Sequence, residues 1–478
     1  MPGCIRLDQR RPALAAVGPG ACRLFLGMVI YTACFFLLYP RISAVVDEDA
    51  YLTQAYLFRA GHLSYDAAPE IPPPHMVTEH NGRIVSKYPP GTALWLLPFT
   101  YLGARSAYVS GLLLALVGTL LFALVLGRVA PQADRSWALL YLCHPAVVIL
   151  SRTLMSDLLA ATAFLAACYC LLSSRHLAAG LLFGFACLTR YSSLVMLPVF
   201  LLLLPRDRGS GPALAFLTGL APFVALIAGY DWFAFGSPLS FPMYLTGNFS
   251  PLFVPRNLTY YAGALLLCYP LMLLAPLSAP SGHRLLFLLP AYGTLALYCC
   301  FDFIYVAGGL PGRVTLGLRY LAPALPFFVL AYVMLLDRAT RAVVTGRLLR
   351  PGLVAAVLVV AFLVHWRHDR ILAVQEHYRR EIYRHLPPAA QLVASAGASE
   401  LVSYAYGPRR WLPLAAFNVP LLPDLQSGVP TYAALLEKQN QHHTVEQTLF
   451  YALVMRYPLR RLIAATDEPW HFRLYRLE

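Results

Sequence analysis

The strongest constraint on this chain is the recurrence of apolar runs, many close to the length of a bilayer crossing, from Leu24 to His365. A helix needs roughly 20 apolar residues to cross the hydrocarbon, and one inside a large bundle can be shorter. Only 13% of the 478 residues are charged and 59% are apolar, giving a mean hydropathy of +0.60. The solvent for most of the chain is therefore lipid.

The loops between the runs carry a second signal. Arg6, Arg10, Arg11, Arg128, Arg135, Arg206, Arg208, Arg338, Arg341, Arg347 and Arg350 lie between apolar runs. A formal net charge of +14 arranged in this way is a positive-inside pattern, not a nucleic-acid patch. The ten cysteines fall in the N-terminal segment or in apolar runs, so neither a disulfide framework nor a zinc spacing follows. Leu24 to Val45 is too long for a signal-peptide core and lacks a clear cleavage site, which predicts a retained anchor.

With the basic N-terminus inside, the first span delivers Asp47-Glu48-Asp49 to the outer surface. A polar, Pro-rich loop follows through Pro72-Pro73-Pro74 to Lys87-Tyr88-Pro89-Pro90, and Gly91 to Gly103 has the length of an interfacial helix. Spans are then expected at Ala107–Leu126, Trp137–Leu150, Leu158–Leu172, Leu177–Leu188, Tyr191–Leu204, Ala213–Tyr230, Tyr260–Leu277, Leu285–Phe301, Tyr320–Leu336 and Leu353–His365. This assignment puts the basic clusters inside and leaves Asp157 and Asp231 outside. A full crossing at Gly91–Gly103 would turn the basic clusters outward, and one tilted helix over Leu177–Leu204 would bury Arg190 and break the pattern downstream.

The fold expected is an all-α polytopic membrane bundle of about eleven spans with a small C-terminal α/β domain outside the membrane. Residues 1–23 form a cytoplasmic segment and residues 24–365 the transmembrane domain, whose outer loop 46–106 carries the acidic motif and the interfacial helix. Residues 366–478 are richer in charge and contain strand-like runs at Gln391–Ser395, Leu462–Ala464 and Phe472–Tyr475, the marks of a separate soluble domain. Tyr404, Tyr406, Arg409, Arg410 and Trp411 read there as an ordinary packed surface before they read as a carbohydrate site. Asn248-Phe249-Ser250 and Asn257-Leu258-Thr259 are formal glycosylation sequons in an outer loop.

Once sides are assigned, Lys87, Arg152, Arg190 and Arg319 stand out as outer cations at the ends of apolar runs. Ionisable groups at such positions cost about 2.5–3.5 kcal/mol at mid-membrane on insertion scales, and they face a cavity or a partner. Carboxylates on the same side are Asp47, Glu48, Asp49 and Asp157. Several cations beside a few carboxylates suit a phosphate-bearing substrate and a general base. Plainer roles stand beside these: Arg152 and Asp157 pairing with each other, Arg190 snorkelling, Arg319 as a loop charge, and Asp47-Glu48-Asp49 opening an amphipathic helix over Ala50–Ala60.

From Asp47 to about Pro323 the chain resembles the GT-C glycosyltransferases that use polyprenyl-phosphate sugars, a group that includes protein O-mannosyltransferases and the aminoarabinose transferase of lipid A. Asp47-Glu48 followed by Tyr51-Leu52-Thr53-Gln54-Ala55 is similar to the family's acidic pair and amphipathic helix. Ser86-Lys87-Tyr88-Pro89-Pro90 is similar to its Lys-Pro-Pro element, but with Tyr88 inserted and Ser86 where some relatives have Glu. Arg152 to Asp157, Leu188-Thr189-Arg190, Phe235-Gly236-Ser237-Pro238 and Gly317-Leu318-Arg319-Tyr320-Leu321-Ala322-Pro323 follow in the family's order.

The resemblance implies a transferase of the inner, cytoplasmic membrane, working on its outer face with a polyprenyl-phosphate sugar donor and a glycan, lipid or protein acceptor. Asp47, Glu48 and Asp157 are the catalytic candidates, and Lys87, Tyr88, Arg152, Arg190 and Arg319 the substrate-binding ones. No cofactor is implied; a divalent metal on the carboxylates is conceivable but is not favoured by the resemblance. A transporter or flippase of an anionic lipid-linked substrate, or a non-catalytic scaffold of the same fold, are the rival readings.

Overall fold

The computed structural model describes residues 19–66, 77–205, 209–238, 248–280, 284–302, 309–342, 346–387, 390–399, 401–402, 410–414, 428–437 and 444–478. Arg6, Arg10, Arg11, Pro72 to Pro74, Arg206, Arg208, Tyr404, Tyr406 and Arg409 lie outside the described residues, as do the side chains of Arg347, Arg410 and Trp411.

Helices follow in the order α1 Pro19–Leu37, α2 Val46–Arg59, α3 Gly91–Thr100, α4 Tyr108–Val129, α5 Leu139–Leu142, α6 Pro145–Leu150, α7 Ser156–Leu172, α8 His176–Thr189 and α9 Leu197–Leu202. They continue with α10 Gly211–Phe235, α11 Val254–Cys268, α12 Arg284–Cys299, α13 Gly309–Val314, α14 Leu325–Ala342, α15 Gly346–His385, α16 Ala396–Ser399 and α17 Thr444–Arg456. Strands are β1 Tyr65–Asp66, β2 Val77–His80, β3 Arg83–Ser86, β4 Gln391–Ala394, β5 Arg410–Pro413, β6 Thr431–Glu437, β7 Arg460–Thr466 and β8 His471–Leu477. The chain divides into two compact units: Met1–Tyr39, Tyr88–Phe99 and Ser106–His368 form one, and Pro40–Lys87, Thr100–Arg105 and Asp369–Glu478 the other.

The first unit is a helical membrane bundle. Among the described residues, four helical stretches are long and apolar enough to cross a bilayer: Pro19–Leu37, Ala104–Val129, Gly211–Phe235 and Leu349–His385. A fifth arises if Leu310–Leu321 and Leu325–Ala342, bent by 110°, count as one span. Shorter apolar helices accompany them, so by this criterion the described residues do not reach the expected eleven.

Several boundaries differ from expectation for local reasons. The first helix stops at Leu37, ahead of Pro40, so residues to Val45 form an extended lead into α2 and not the end of a span. Trp137–Leu150 is three short helical pieces, because Pro145 lacks an N–H and starts α6 at its first turn while His144 Nδ1 caps the Ala146 N–H at 3.2 Å. Leu177–Leu204 is broken at Arg190, which has extended backbone (φ −149°, ψ 117°), as the two-span reading requires. α15 runs on past His365 to His385, and the apolar run beginning at Tyr260 ends early because Tyr269-Pro270 closes α11.

Helix α7 is buried almost all round, so it lies at the centre of the bundle between α4 and α8. Helix α8 crosses α10 at a seam of small residues. A Cβ on Gly180 would run into the Phe216 carbonyl, and one on Gly219 would lie 2.8 Å from the Leu181 nitrogen and 3.1 Å from the Gly180 carbonyl carbon. Only glycine permits this approach, and in lipid close packing of this kind drives helix association. Asn257, fully buried, donates from Nδ2 to the carbonyls of Tyr298 at 3.3 Å, Cys299 at 3.0 Å and Phe301. It satisfies the end of α12, and its burial rules out the glycan that its sequon formally allows.

The second unit holds two sheets. In the three-stranded antiparallel sheet, of order β1-β3-β2, strands β2 and β3 meet through Asn81-Gly82, both at positive φ (50° and 71°). That is the two-residue hairpin turn whose twist matches the strands. The C-terminal sheet has the order β5-β4-β6-β8-β7, with β4 parallel to β5 and β6, and β8 antiparallel to β6 and β7. β4 and β6 are buried along their whole length because both faces are covered. Tyr378 and Ile382 of α15 pack with Leu392, Tyr432 and Leu436 on one face; Phe450, Leu453 and Val454 of α17 pack with Val393 and Leu435 on the other.

Candidate active site

The carboxylates of the acidic motif open α2, in the unit that carries the sheets. Ile42 enters the core beside Leu372 and Tyr378, and Arg41 lies 3.4 Å from Asp369 and 3.8 Å from Glu376. These contacts anchor the lead into the helix. Glu48 sits at the third helical position, where its Oε1 accepts from the Val45 N–H at 3.0 Å and the Ala44 N–H at 2.8 Å. It thereby forms the reciprocal half of a capping box. Asp49 accepts from Ser43 Oγ at 2.9 Å. Asp47 is 8% exposed in the same first turn.

Strand β3 packs near α2 and ends at Ser86, so the Asn81-Gly82 hairpin fixes where the half-buried Lys87 emerges. At the far end of α2, Arg59 donates to the Thr100 carbonyl at 2.7 Å and lies 4.9 Å from the Tyr101 ring centroid.

In the helical unit, the break after α8 presents Arg190 to the first turn of α7. Its guanidinium pairs with Asp157, reaches Ser156 Oγ at 3.5 Å and donates to Tyr298 Oη at 3.1 Å. Tyr298 in turn donates to Ser192 Oγ at 2.9 Å and stacks on Tyr320 with ring centroids 5.1 Å apart. Tyr320 is the hub: the guanidinium carbons of Arg190 and Arg319 lie 5.8 Å and 4.8 Å from its ring centroid, and Arg319 donates to its hydroxyl at 2.9 Å. Two buried guanidinium groups thus share one aromatic ring, and Asp157 balances one of them.

Tyr88, buried in the same unit, is followed by Pro89, Pro90 and Gly91. A Cβ on Gly91 would lie 2.6 Å from the Leu188 carbonyl and 2.8 Å from the Thr189 nitrogen. The Tyr88–Gly91 segment and Leu188-Thr189-Arg190 therefore fit together only because residue 91 is glycine.

Asp157, Arg190 and Arg319 are thus brought together in one cluster. Asp47, Glu48 and Lys87 belong to the other unit. Arg152 takes a different environment: Nε donates to His368 Nδ1 at 2.9 Å, and its Nη1 lies 3.1 Å from His365 Nδ1. Arginine has no acceptor, so both imidazoles receive its protons.

Sequence reasoning passed over Tyr298, Ser192, the His365–His368 pair and the buried Asp231, whose carboxylate accepts from Tyr191. The signal for the last two was present, because ionisable side chains within apolar runs are functional candidates by default.

The fold is shared with solved structures of ArnT and of the arabinofuranosyltransferase AftD. ArnT of Cupriavidus metallidurans, an aminoarabinose transferase solved bound to undecaprenyl phosphate, superposes at a TM-score of 0.60 with 14% identity over 97% of this chain and 98% of its own. Its apo form gives the same score and identity over 96% and 98%. The mycobacterial arabinofuranosyltransferase AftD, in one class of its R1389S mutant, superposes at 0.51 with 14% identity over 97% of this chain but 42% of its own. No protein-family model and no curated protein matches the sequence.

Proposed function

We propose that this protein is a membrane glycosyltransferase that moves a sugar from a polyprenyl-phosphate carrier to an acceptor hydroxyl on the outer face of the inner membrane, with inversion at the anomeric carbon. The observation that carries this reading is the Arg190–Tyr320–Arg319 cluster, set in a fold shared end to end with a protein that holds undecaprenyl phosphate. Such a cluster suits the phosphate that gathers charge as the sugar leaves.

In the reaction, the acceptor oxygen forms its bond to the anomeric carbon while the bond from that carbon to the phosphate oxygen breaks. The phosphate departs as a dianion, and Asp47 receives the acceptor's hydroxyl proton. Lys87, with Tyr88 beside it, Arg190 and Arg319 meet the phosphate. Asp157 orients Arg190, and Glu48 holds the start of α2 so that Asp47 is presented. One carboxylate suffices for the proton, so the scheme uses no metal.

The experiment is release of polyprenyl phosphate from a panel of polyprenyl-phosphate sugars by the purified protein. Asp47→Asn should bind donor and lose about 10²- to 10⁴-fold in transfer, the usual cost of removing a general base. Lys87→Ala should raise KM for the donor, with Lys87→Arg recovering part of it. Transfer by Asp47→Asn at the parental rate would end the carboxylate mechanism. Movement of an anionic lipid across vesicles with no release from any donor would favour the transporter.

A further inference from the structure

Asp231 lies in the last turns of α10 with its side chain fully buried, and its Oδ1 accepts the hydroxyl proton of Tyr191. Its other oxygen, Oδ2, is buried and has no hydrogen-bond partner among the described residues. An acid in such a place is costly, and structures retain it for a reason. Tyr191 is the residue immediately after Arg190, at the extended break where α8 ends. A hydroxyl held on α10 therefore fixes the residue next to the guanidinium that pairs with Asp157 and meets Tyr298. Gly91 presses on the same break, against the backbone of Leu188 and Thr189.

We propose that Asp231 is a positioning residue for Arg190: through Tyr191 it locks the break after α8 so that the Arg190 guanidinium stays between Asp157 and Tyr320. This rests on the reading of Arg190 as a phosphate-binding cation, and it supplies what that reading lacks, a reason for the guanidinium to keep one orientation beside a second positive group. Asp231 itself need not touch substrate.

The test uses the full-length protein in detergent with two readouts. Phenylglyoxal modification of Arg190, followed by peptide mass spectrometry with Arg319 as internal reference, reports the clamp without any ligand. Asp231→Ala and Tyr191→Phe should each raise the Arg190 rate relative to Arg319 by about fivefold, the effect of losing one buried hydrogen bond. The double variant should do no more than the stronger single, because both remove the same bond. Asp231→Asn keeps an acceptor for the tyrosine and should stay near the parent.

Binding of undecaprenyl phosphate is the second readout and should weaken in the same order, with unchanged binding by Asp231→Asn. An Arg190 rate at the parental level in both Asp231→Ala and Tyr191→Phe overturns the proposal, as does an equal rise at Arg319, which signals general loosening. If Asp231→Ala fails to fold, Tyr191→Phe decides alone. Altered labelling, with binding unchanged even in Arg190→Ala, leaves the clamp standing and removes the phosphate role instead.

Discussion

Two buried arginines of the helical unit, Arg152 and Arg190, look alike in the sequence and are solvated in opposite ways. Arg190 meets a carboxylate and two tyrosines; Arg152 meets the Nδ1 atoms of His365 and His368. A carboxylate neutralises a guanidinium, while the adjoining tyrosines give it a polar and polarisable surround. Imidazoles that accept from arginine are themselves uncharged, so they spread the positive charge without cancelling it. The first arrangement is the one the proposed phosphate site would use, and the second ties α15 to the turn before α7.

The comparison breaks most visibly at Asp157. Asp157→Ala leaves Arg190 buried without its counter-ion and should destabilise the protein by about 3–5 kcal/mol, read as a lowered Tm in detergent. Replacing both partners, Asp157→Leu with Arg190→Met, should restore much of that stability while donor binding stays lost. Donor binding that survives in the double variant would place the two arginines in the same structural class. At the other tie, His365→Phe removes one acceptor from Arg152, at a cost of about 2 kcal/mol, and should leave KM for the donor unchanged. A raised donor KM would move Arg152 into the substrate site.

A smaller effect lies in the loop before Trp137, where Asp134 pairs with Arg23 and accepts from the Ser136 N–H at 2.9 Å and its hydroxyl at 2.8 Å. Burial raises the carboxyl's pKa, but the Ser136 hydrogen bonds and the Arg23 charge outweigh it and hold Asp134 below its ordinary range. The pair's contribution is therefore present above about pH 4, the ordinary aspartate value, and is lost as pH falls through the lowered pKa of the folded protein. Asp134→Asn should cost about 1 kcal/mol at neutral pH, discounted for the partly exposed Arg23, and the difference from the parent should vanish in acid. Equal stability at pH 7 would show that Arg23 is no more than a solvated charge on α1.

Arg190, Arg319 and Asp157 were legible as candidates because charge is rare in apolar runs and each sits at the end of one. Their partners were not legible, since Tyr298 and Tyr320 are ordinary residues of apolar helices until packing stacks them. His365 and His368 lie more than 200 positions from Arg152, beyond the reach of any local pattern. The Asn81-Gly82 hairpin follows from turn chemistry alone, although the polar, Pro-rich character of the loop around it masks the signal. Periodicity found the long crossings but misjudged Trp137–Leu150 and the end of α15, where a proline and the cover over the C-terminal sheet decide the boundary.

The glycine seam between α8 and α10 has a consequence in the language of tolerances. Gly180 lies ten residues before Arg190, about 15 Å along the helix, and Gly219 stands on the helix that carries Asp231 in its last turns. The two helices are gauge blocks, and the seam is the face on which they are set. A single methyl group at Gly180 would push that face apart, and the error would be carried along the helix to its working end. Misplacement by about 1 Å far from the chemistry can cost on the order of 10²-fold in rate. On the proposed function, Gly180→Ala would then present as a defect in transfer although every reacting group is intact, and a screen for inactive variants would return seam glycines beside the charged residues of the cluster.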